Sequence, residues 1–228
     1  IEVHEIDPET GAQFTVRDCR GHFGGSMDGV ALGILEAPKT YHVLEFKTHS
    51  AKSFAELKAK GVEKAKPEHY AQMQVYMHLA GLERAFYLAV DKNTDELYSE
   101  RIKHDEAAAL RLIAKAERII EAAEPPSRIS EDPSFYLCRW CAYSELCHGT
   151  DWAERNCRTC LHSTPVDQGA WDCARWGKVI SDEEQRAGCG AHKYIPALVP
   201  GDQVDATEDA VGYRMPDGKE WWDSEVPF

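Results

Sequence analysis

Two carboxylates and an ammonium lie in one short stretch of the chain, at a spacing suited to phosphate-ester chemistry. Asp28 closes a glycine-rich segment, and Glu45 and Lys47 end a strand-like run that begins at Tyr41. Because alternate side chains of a strand share a face, Glu45 and Lys47 point the same way and Phe46 is expected in the core. If the partner strand ends near Asp28, the two carboxylates supply the hard oxygen ligands that Mg²⁺ and Mn²⁺ prefer. With the ammonium beside them, these groups can hold a phosphodiester and offset the charge that builds during its hydrolysis.

A second motif lies on a helix expected to begin at Pro67. Gln72 and Tyr76 are one helical turn apart, so their side chains lie on one face. The order Gly-x-x-Asp-Gly, Glu-Phe-Lys and Gln-x-x-x-Tyr resembles the PD-(D/E)XK nuclease superfamily, in particular its RecB-like and lambda-exonuclease-like branch. The resemblance covers roughly residues 14–102.

The resemblance implies a role for each matching residue. Asp28, Glu45 and the carbonyl of Phe46 would be metal ligands, and Lys47 would be the catalytic lysine. Gln72 and Tyr76 would be a helper pair that positions the substrate strand. Three nearby histidines are weaker candidates for contact with metal or phosphate: His22, His49 and His69.

The strands and helices predicted around Asp28, Glu45 and Lys47 form an α/β core, with 43–47 as its central strand. Pro125 and Pro126 end the last helix of this core, and we place the domain boundary there. The resemblance implies a restriction-endonuclease-like fold, with a mixed central sheet flanked by helices and a further helix before the first strand. That helix would precede residue 1, which suggests a fragment. The expected strands are 13–16, stretches within 22–35, 85–90 and 96–102; the expected helices are 53–60 with Ser53 as N-cap, Pro67 to about Ala80, and 105–123.

A cysteine-rich module is expected over residues 127–200. Seven of the eight cysteines lie between 138 and 189. Paired Cys-x-x-Cys motifs bind metals more often than they form disulfides when a chain shows neither a signal peptide nor a membrane span. The later group has zinc-ribbon-like spacing, with His162 and His192 as substitutes should one cysteine be free. It predicts a structural Zn²⁺ site formed by Cys157, Cys160, Cys173 and Cys189.

The earlier group contains Cys138, Cys141 and Cys147, and three interpretations stay open. Its spacing resembles the iron-sulfur staple of RecB-like nucleases, where a fourth cysteine lies upstream of the core. Cys19 is the one upstream candidate here, so a [4Fe-4S] cluster would use Cys19 or lack a ligand. A Cys₃His zinc site using a histidine such as His148 is the second interpretation, and free thiols are the third.

The charge of the chain limits how strongly it can attract nucleic acid. The formal net charge of −13 weakens long-range attraction to nucleic acid. Locally, six lysines lie between Lys47 and Lys66 against two acids, and this patch either follows a phosphate backbone or is a solvated helix face. Arginines and tryptophans of the cysteine module could stack on nucleic acid. The acidic segment 201–228 is expected to be weakly ordered or to dock on a partner.

These observations predict a Mg²⁺- or Mn²⁺-dependent deoxyribonuclease. The expected activity is that of an exonuclease in recombination, repair or phage DNA metabolism, in the cytoplasm of a bacterial or phage-infected cell. Its partners would be single- or double-stranded DNA and possible recombination or replication proteins, and no membrane is expected. Two alternatives stay open: a non-catalytic DNA-binding adaptor with a zinc module, and a site-specific endonuclease.

Overall fold

The computed structural model describes residues 1–224. The chain divides into two compact units, an N-terminal unit of residues 1–117 and a C-terminal unit from Arg118 onward. The N-terminal unit contains a five-stranded sheet of order β1-β4-β5-β6-β7 and a two-stranded ribbon of β2 and β3. In chain order its strands are β1 (Glu2–His4), β2 (Thr15–Asp18), β3 (Phe23–Ser26), β4 (Gly29–Leu32), β5 (His42–His49), β6 (Arg84–Asp91) and β7 (Leu97–Lys103).

Strand β5 lies at the centre of the sheet, as predicted. It pairs antiparallel with β4 and parallel with β6. Parallel neighbours need a crossover connection, which here consists of α1 (Ala51–Ala65) and α2 (Pro67–Ala80). The predicted start of α2 is confirmed, because proline suits the first turn of a helix, where its missing N–H is not needed. The expected N-cap is wrong: Ser50 precedes α1, while Ser53 lies within it and its hydroxyl pairs with His49.

The two faces of the sheet are covered differently, and this corrects the expectation for Phe46. Helices α1 and α2 cover the face that carries Val43 and Tyr87, forming the main apolar cluster. The opposite face carries only a small buried cluster of Ala31, Ile34 and Leu44. Because side chains alternate along β5, Phe46 points to this second face, which lies opposite α1 and α2. Phe46 is therefore 45% exposed rather than buried in the core.

The third helix, α3 (Glu106–Glu121), follows β7 and matches the predicted long helix. The division between the two units falls within α3, upstream of the proline pair at 125–126. A mixed central sheet with packed helices is consistent with the restriction-endonuclease-like core that the resemblance implies.

The C-terminal unit consists of short elements and two three-stranded antiparallel sheets, ordered β10-β9-β8 and β11-β12-β13. Its elements are α4 (Tyr136–Arg139), α5 (Ser144–His148), β8 (Ser163–Pro165), β9 (Trp171–Cys173), β10 (Lys178–Ile180), α6 (Asp182–Ala187), β11 (Asp202–Ala206), β12 (Ala210–Arg214) and β13 (Glu220–Ser224).

The acidic segment from residue 201 forms a sheet rather than a weakly ordered tail. Tyr213 is fully buried in a cluster with Tyr194, Val199 and Ala153. Asp223 is also fully buried, and its carboxylate accepts hydrogen bonds from Arg155 at 3.1 Å and from the Tyr194 N–H at 2.6 Å. Because acidic residues are abundant in this segment, the sequence does not indicate that Asp223 is the one that is buried and orders it. The part of that prediction that concerns 225–228 lies outside the described residues.

Candidate active site

The β4–β5 pairing brings Asp28 and Glu45 together. Gly29 lies opposite Leu44 in the antiparallel register, so the preceding residue, Asp28, faces Glu45. Asp28 Oδ2 accepts a hydrogen bond from the Phe46 N–H at 2.7 Å, which fixes this carboxylate beside the strand. The positive φ of Gly29, +157°, allows the chain to turn into β4 directly after Asp28.

Glu45 is fully buried although it is a carboxylate. Burial raises its pKa most strongly; the Lys47 ammonium opposes this rise, and the charge of Asp28 adds to it. Lys47 Nζ forms an ion pair with Glu45 Oε1. Within residues 1–224 this buried oxygen has no conventional hydrogen-bond partner besides that ion pair. The site therefore holds a desolvated acceptor that suits a cation.

The glutamine and tyrosine of α2 complete the polar cluster. Gln72 Nε2 lies 3.3 Å from Glu45 Oε2 and 3.1 Å from the Tyr76 hydroxyl, so its amide donates to both groups. The Tyr76 ring packs against the β2–β3 ribbon, where a Cβ atom on Gly25 would lie 2.4 Å from the Tyr76 hydroxyl. The absence of a side chain at Gly25 thus creates the space for Tyr76.

A hydrogen-bonded network next to these residues was only partly anticipated. The hydroxyl of Tyr87, a fully buried residue of β6, lies 2.9 Å from His49 Nε2 and 2.9 Å from His69 Nδ1. Burial is the main cause of the lowered pKa of both histidines, and the charge of Lys47 lowers both further. Both imidazoles are therefore neutral at pH 7. Sequence reasoning missed Tyr87 because a tyrosine in an apolar strand signals core packing. His22 lies at the end of the one-turn helix Cys19–Gly21.

The donor set of the N-terminal unit fits a hard divalent cation. Within residues 1–224, no three side chains of His, Cys, Asp or Glu are assembled as a metal-coordinating group. The charge of Asp28 acts unfavourably on the buried carboxylate of Glu45, and Mg²⁺ is commonly bound by one or two carboxylates. The buried Oε1 atom of Glu45 is the specific observation in favour of a cation.

The lysine-rich stretch is partly neutralised. Lys58 pairs with Glu96, and Lys60 pairs with Glu56. Lys66, like Lys47, lies close enough to lower the pKa of His49 and His69. Lys47 and Lys66 therefore place positive charge near the candidate site.

The two cysteine groups of the C-terminal unit occupy different settings. None of the eight cysteines, which all lie within residues 1–224, forms a disulfide. The later group of four lines one cavity of about 460 Å³, together with His162 and His192. In the earlier group Cys138 is buried, and burial raises its pKa, with smaller contributions from Cys147 and Cys141. Cys19, in the N-terminal unit, has its Sγ 3.9 Å from the Ile113 carbonyl oxygen. The fourth ligand of the earlier group stays a prediction.

Comparison with known proteins agrees with this geometry. A family model described as the PD-(D/E)XK nuclease superfamily matches residues 3–148. The chain belongs to this superfamily, which makes it a nuclease-family protein. No curated protein matches the chain. No helix within residues 1–224 is long and apolar enough to cross a membrane.

Two solved structures show weaker similarity. The crystal structure of SSO0001 has 20% sequence identity and a TM-score of 0.35, over 57% of this chain and 52% of that chain. The crystal structure of LHK-Exo in complex with dAMP has 19% identity and a TM-score of 0.34, over 51% of this chain and 53% of that chain. This chain thus spans about half the length of either structure, and similarity at this level carries no argument about activity.

Proposed function

We propose that this protein is a metal-dependent deoxyribonuclease whose active site lies in the N-terminal unit. One observation carries the proposal: the buried carboxylate of Glu45 lies between Lys47 and Gln72 and faces Asp28. Burying a carboxylate costs free energy unless its oxygens are paired, and within residues 1–224 the Lys47 ammonium is the one polar partner of Glu45 Oε1, which favours a functional use for this group.

Asp28, Glu45 and the carbonyl of Phe46 would hold the Mg²⁺ or Mn²⁺ ion. When bound, such an ion acts as a Lewis acid that stabilises negative charge on the phosphate. The Phe46 N–H keeps Asp28 against β5, so both carboxylates stay in place before substrate arrives.

Lys47 would stabilise the charge that builds on the phosphate oxygens. Its ammonium has three hydrogens, and Glu45 accounts for one direction of donation. The side chain of Lys47 is 28% exposed, so the remaining hydrogens can reach a phosphodiester that enters from solvent.

Gln72 and Tyr76 would orient the site and bind the substrate strand. Gln72 donates to Glu45 Oε2 and fixes the rotamer of that carboxylate. The Tyr76 hydroxyl accepts from the same amide, so its own hydrogen is available to a phosphate oxygen. The Gln-x-x-x-Tyr pair is the feature that favours the RecB-like branch.

DNA as substrate, and removal of nucleotides from an end, are part of the proposal. Lys47 and Lys66 provide local positive charge near the site, whereas the net charge of −13 opposes long-range capture. No long insertion separates the motifs, and such insertions usually carry the contacts of a site-specific endonuclease. We therefore favour an exonuclease in recombination, repair or phage DNA metabolism.

The test compares end-labelled linear DNA with covalently closed circular DNA, in Mg²⁺, in Mn²⁺ and in EDTA. Metal-dependent loss of linear DNA with circular DNA intact supports the exonuclease. Cutting of both substrates would support an endonuclease instead. Binding of DNA without cleavage in either metal would favour the non-catalytic adaptor and contradict the proposal.

A further inference from the structure

The segment 157–191 of the C-terminal unit has almost no apolar core. Its buried hydrophobic residues are Ile180, Ala191 and two cysteines, Cys160 and Cys173. Strands β8, β9 and β10 each have three residues. Small domains with so little apolar burial are usually stabilised by a metal or by disulfides. The cysteines of this segment form no disulfide, so a bound metal is the element that would supply such stabilisation.

The fold brings four cysteines from separate parts of this segment to one cavity. Cys157 begins a one-turn helix, and Cys160 directly follows it. Cys173 ends β9, and Cys189 follows α6. All four line the cavity of about 460 Å³. Within residues 1–224 no three His, Cys, Asp or Glu side chains are already assembled as a metal-coordinating group, so the four sulfur atoms would have to approach one another when an ion binds.

Backbone hydrogen bonds hold the turn that carries Cys160. The Leu161 N–H donates to the Lys193 carbonyl oxygen at 2.9 Å, and the Ser163 N–H donates to the Cys160 carbonyl oxygen at 3.1 Å. Asn156 caps the one-turn helix through the Arg158 N–H at 2.9 Å and so fixes the Cys-x-x-Cys turn.

The surroundings of His192 are an independent indication that the cavity binds a group. It is 1% exposed and lines the same cavity. Its Nε2 atom lies 3.0 Å from the Thr159 hydroxyl, while its Nδ1 atom is buried with no hydrogen-bond partner within the part of the chain described. A buried polar atom without a partner is uncommon, and ligand or thiolate contact is one way to satisfy it.

We propose that Cys157, Cys160, Cys173 and Cys189 bind one Zn²⁺ ion that holds the segment 157–191 together. Four thiolates form the tetrahedral set of structural zinc sites. His192 lies next to the metal as a hydrogen-bonding neighbour of a thiolate, and His162 is not a ligand. This zinc site is proposed independently of the nuclease function.

The test measures metal content of the full chain purified from zinc-supplemented medium. The variants are Cys173→Ser and Cys189→Ser, and the matched control is Cys19→Ser in the N-terminal unit. We expect each of the two site variants to lose one zinc per chain, and the control to lose none. Cys141→Ser provides a second control, because it removes any metal held by the earlier cysteine group and leaves this site filled. Zinc content unchanged by both site variants would overturn the proposal.

Cobalt exchange keeps the proposal testable if the serine variants do not fold. Cys173→His supplies a ligand in place of a thiolate, so it should retain one metal and show a weaker thiolate-to-cobalt charge-transfer band than the parent. His192→Asn should retain both the metal and the parent spectrum. If His192→Asn loses the metal while Cys173→His leaves the spectrum unchanged, the four-thiolate set is wrong.

Discussion

The two units of this protein place reactive side chains in opposite structural settings. In the N-terminal unit the candidate site stands on the central strand of a five-stranded sheet, beside a large apolar cluster. In the C-terminal unit four cysteines line a cavity in a segment with few buried apolar residues. A well-packed core can tolerate the cost of a buried carboxylate such as Glu45, whereas a segment with so few buried apolar residues would depend on the zinc ion that we propose.

The largest effect is expected for Lys47→Met. The change removes the ammonium that stabilises charge on the phosphate, so we expect the cleavage rate to fall by about 100-fold or more. Folding should persist, because the methionine keeps most of the length of the side chain, the apolar cluster is untouched, and Glu45 can take up a proton once its ammonium partner is gone. Lys60→Met is the matched control, since Lys60 pairs with Glu56 on the exposed side of α1. Wild-type cleavage by a folded Lys47→Met protein would remove Lys47 from the mechanism.

Zinc removal should affect the C-terminal unit and leave the N-terminal unit unchanged. All six tryptophans lie in the C-terminal unit, so tryptophan fluorescence reports on that unit alone. We expect a zinc chelator to change this fluorescence and to abolish hydrogen-exchange protection within 157–191, with protection of β5 unchanged. Equal loss of protection in both units, or in neither, would contradict this contrast between the two units.

Gly25→Ala should disturb the active site through packing alone. The new Cβ would lie 2.4 Å from the Tyr76 hydroxyl and 2.9 Å from its ring. Tyr76 must then move away from Gln72, so we expect cleavage to fall about tenfold while the chain still folds. Ser26→Ala, at the neighbouring exposed position, is the control. The substitution Tyr76→Leu in the Gly25→Ala background should relieve the clash and restore thermal stability without restoring cleavage.

The smallest expected effect concerns stability and pH. Burial raises the pKa of Glu45, so between the ordinary glutamate pKa and this raised value the folded chain binds more protons than the unfolded chain. Stability attributable to this group therefore falls as pH rises through that window. In EDTA, Glu45→Gln should raise Tm at neutral pH, and the gain should vanish as pH falls to the ordinary glutamate range.

The control for this measurement is Glu56→Gln. Glu56 is exposed, and its hydrogen bond to Lys60 lowers its pKa. Its loss should leave Tm unchanged or slightly lower at neutral pH. Calorimetry at several pH values checks both variants, and a lower Tm for Glu45→Gln at every pH would show that the buried carboxylate stabilises the fold.

Local patterns predicted the site-bearing part of the fold well. The central strand, the start of α2 at Pro67 and the β6–β7 hairpin follow from apolar runs and turn residues, and the structure has each of them. The pairing of Asp28 with the strand of Glu45 could be anticipated from the order of motifs alone. The structure adds the hydrogen bond from the Phe46 N–H that fixes Asp28, which no sequence pattern encodes.

The remaining features depend on tertiary contacts that local patterns do not carry. The exposure of Phe46 depends on which face of the sheet the helices cover. The bonding of Tyr87 to His49 and His69 joins residues that are far apart in the chain. The ordering of the acidic segment depends on Asp223, whose carboxylate finds Arg155 and the Tyr194 N–H only in the folded unit.

The central claim is that Glu45 belongs to a working nuclease site, and one paired assay tests it most directly. Cleavage of end-labelled DNA in Mn²⁺ is measured for the wild type, Glu45→Gln and Glu56→Gln, with Mn²⁺ binding recorded on the same samples. We expect Glu45→Gln to lose both cleavage and Mn²⁺ binding while it stays folded, and Glu56→Gln to match the wild type. Undiminished cleavage by Glu45→Gln, or equal losses in the two variants, would contradict the account.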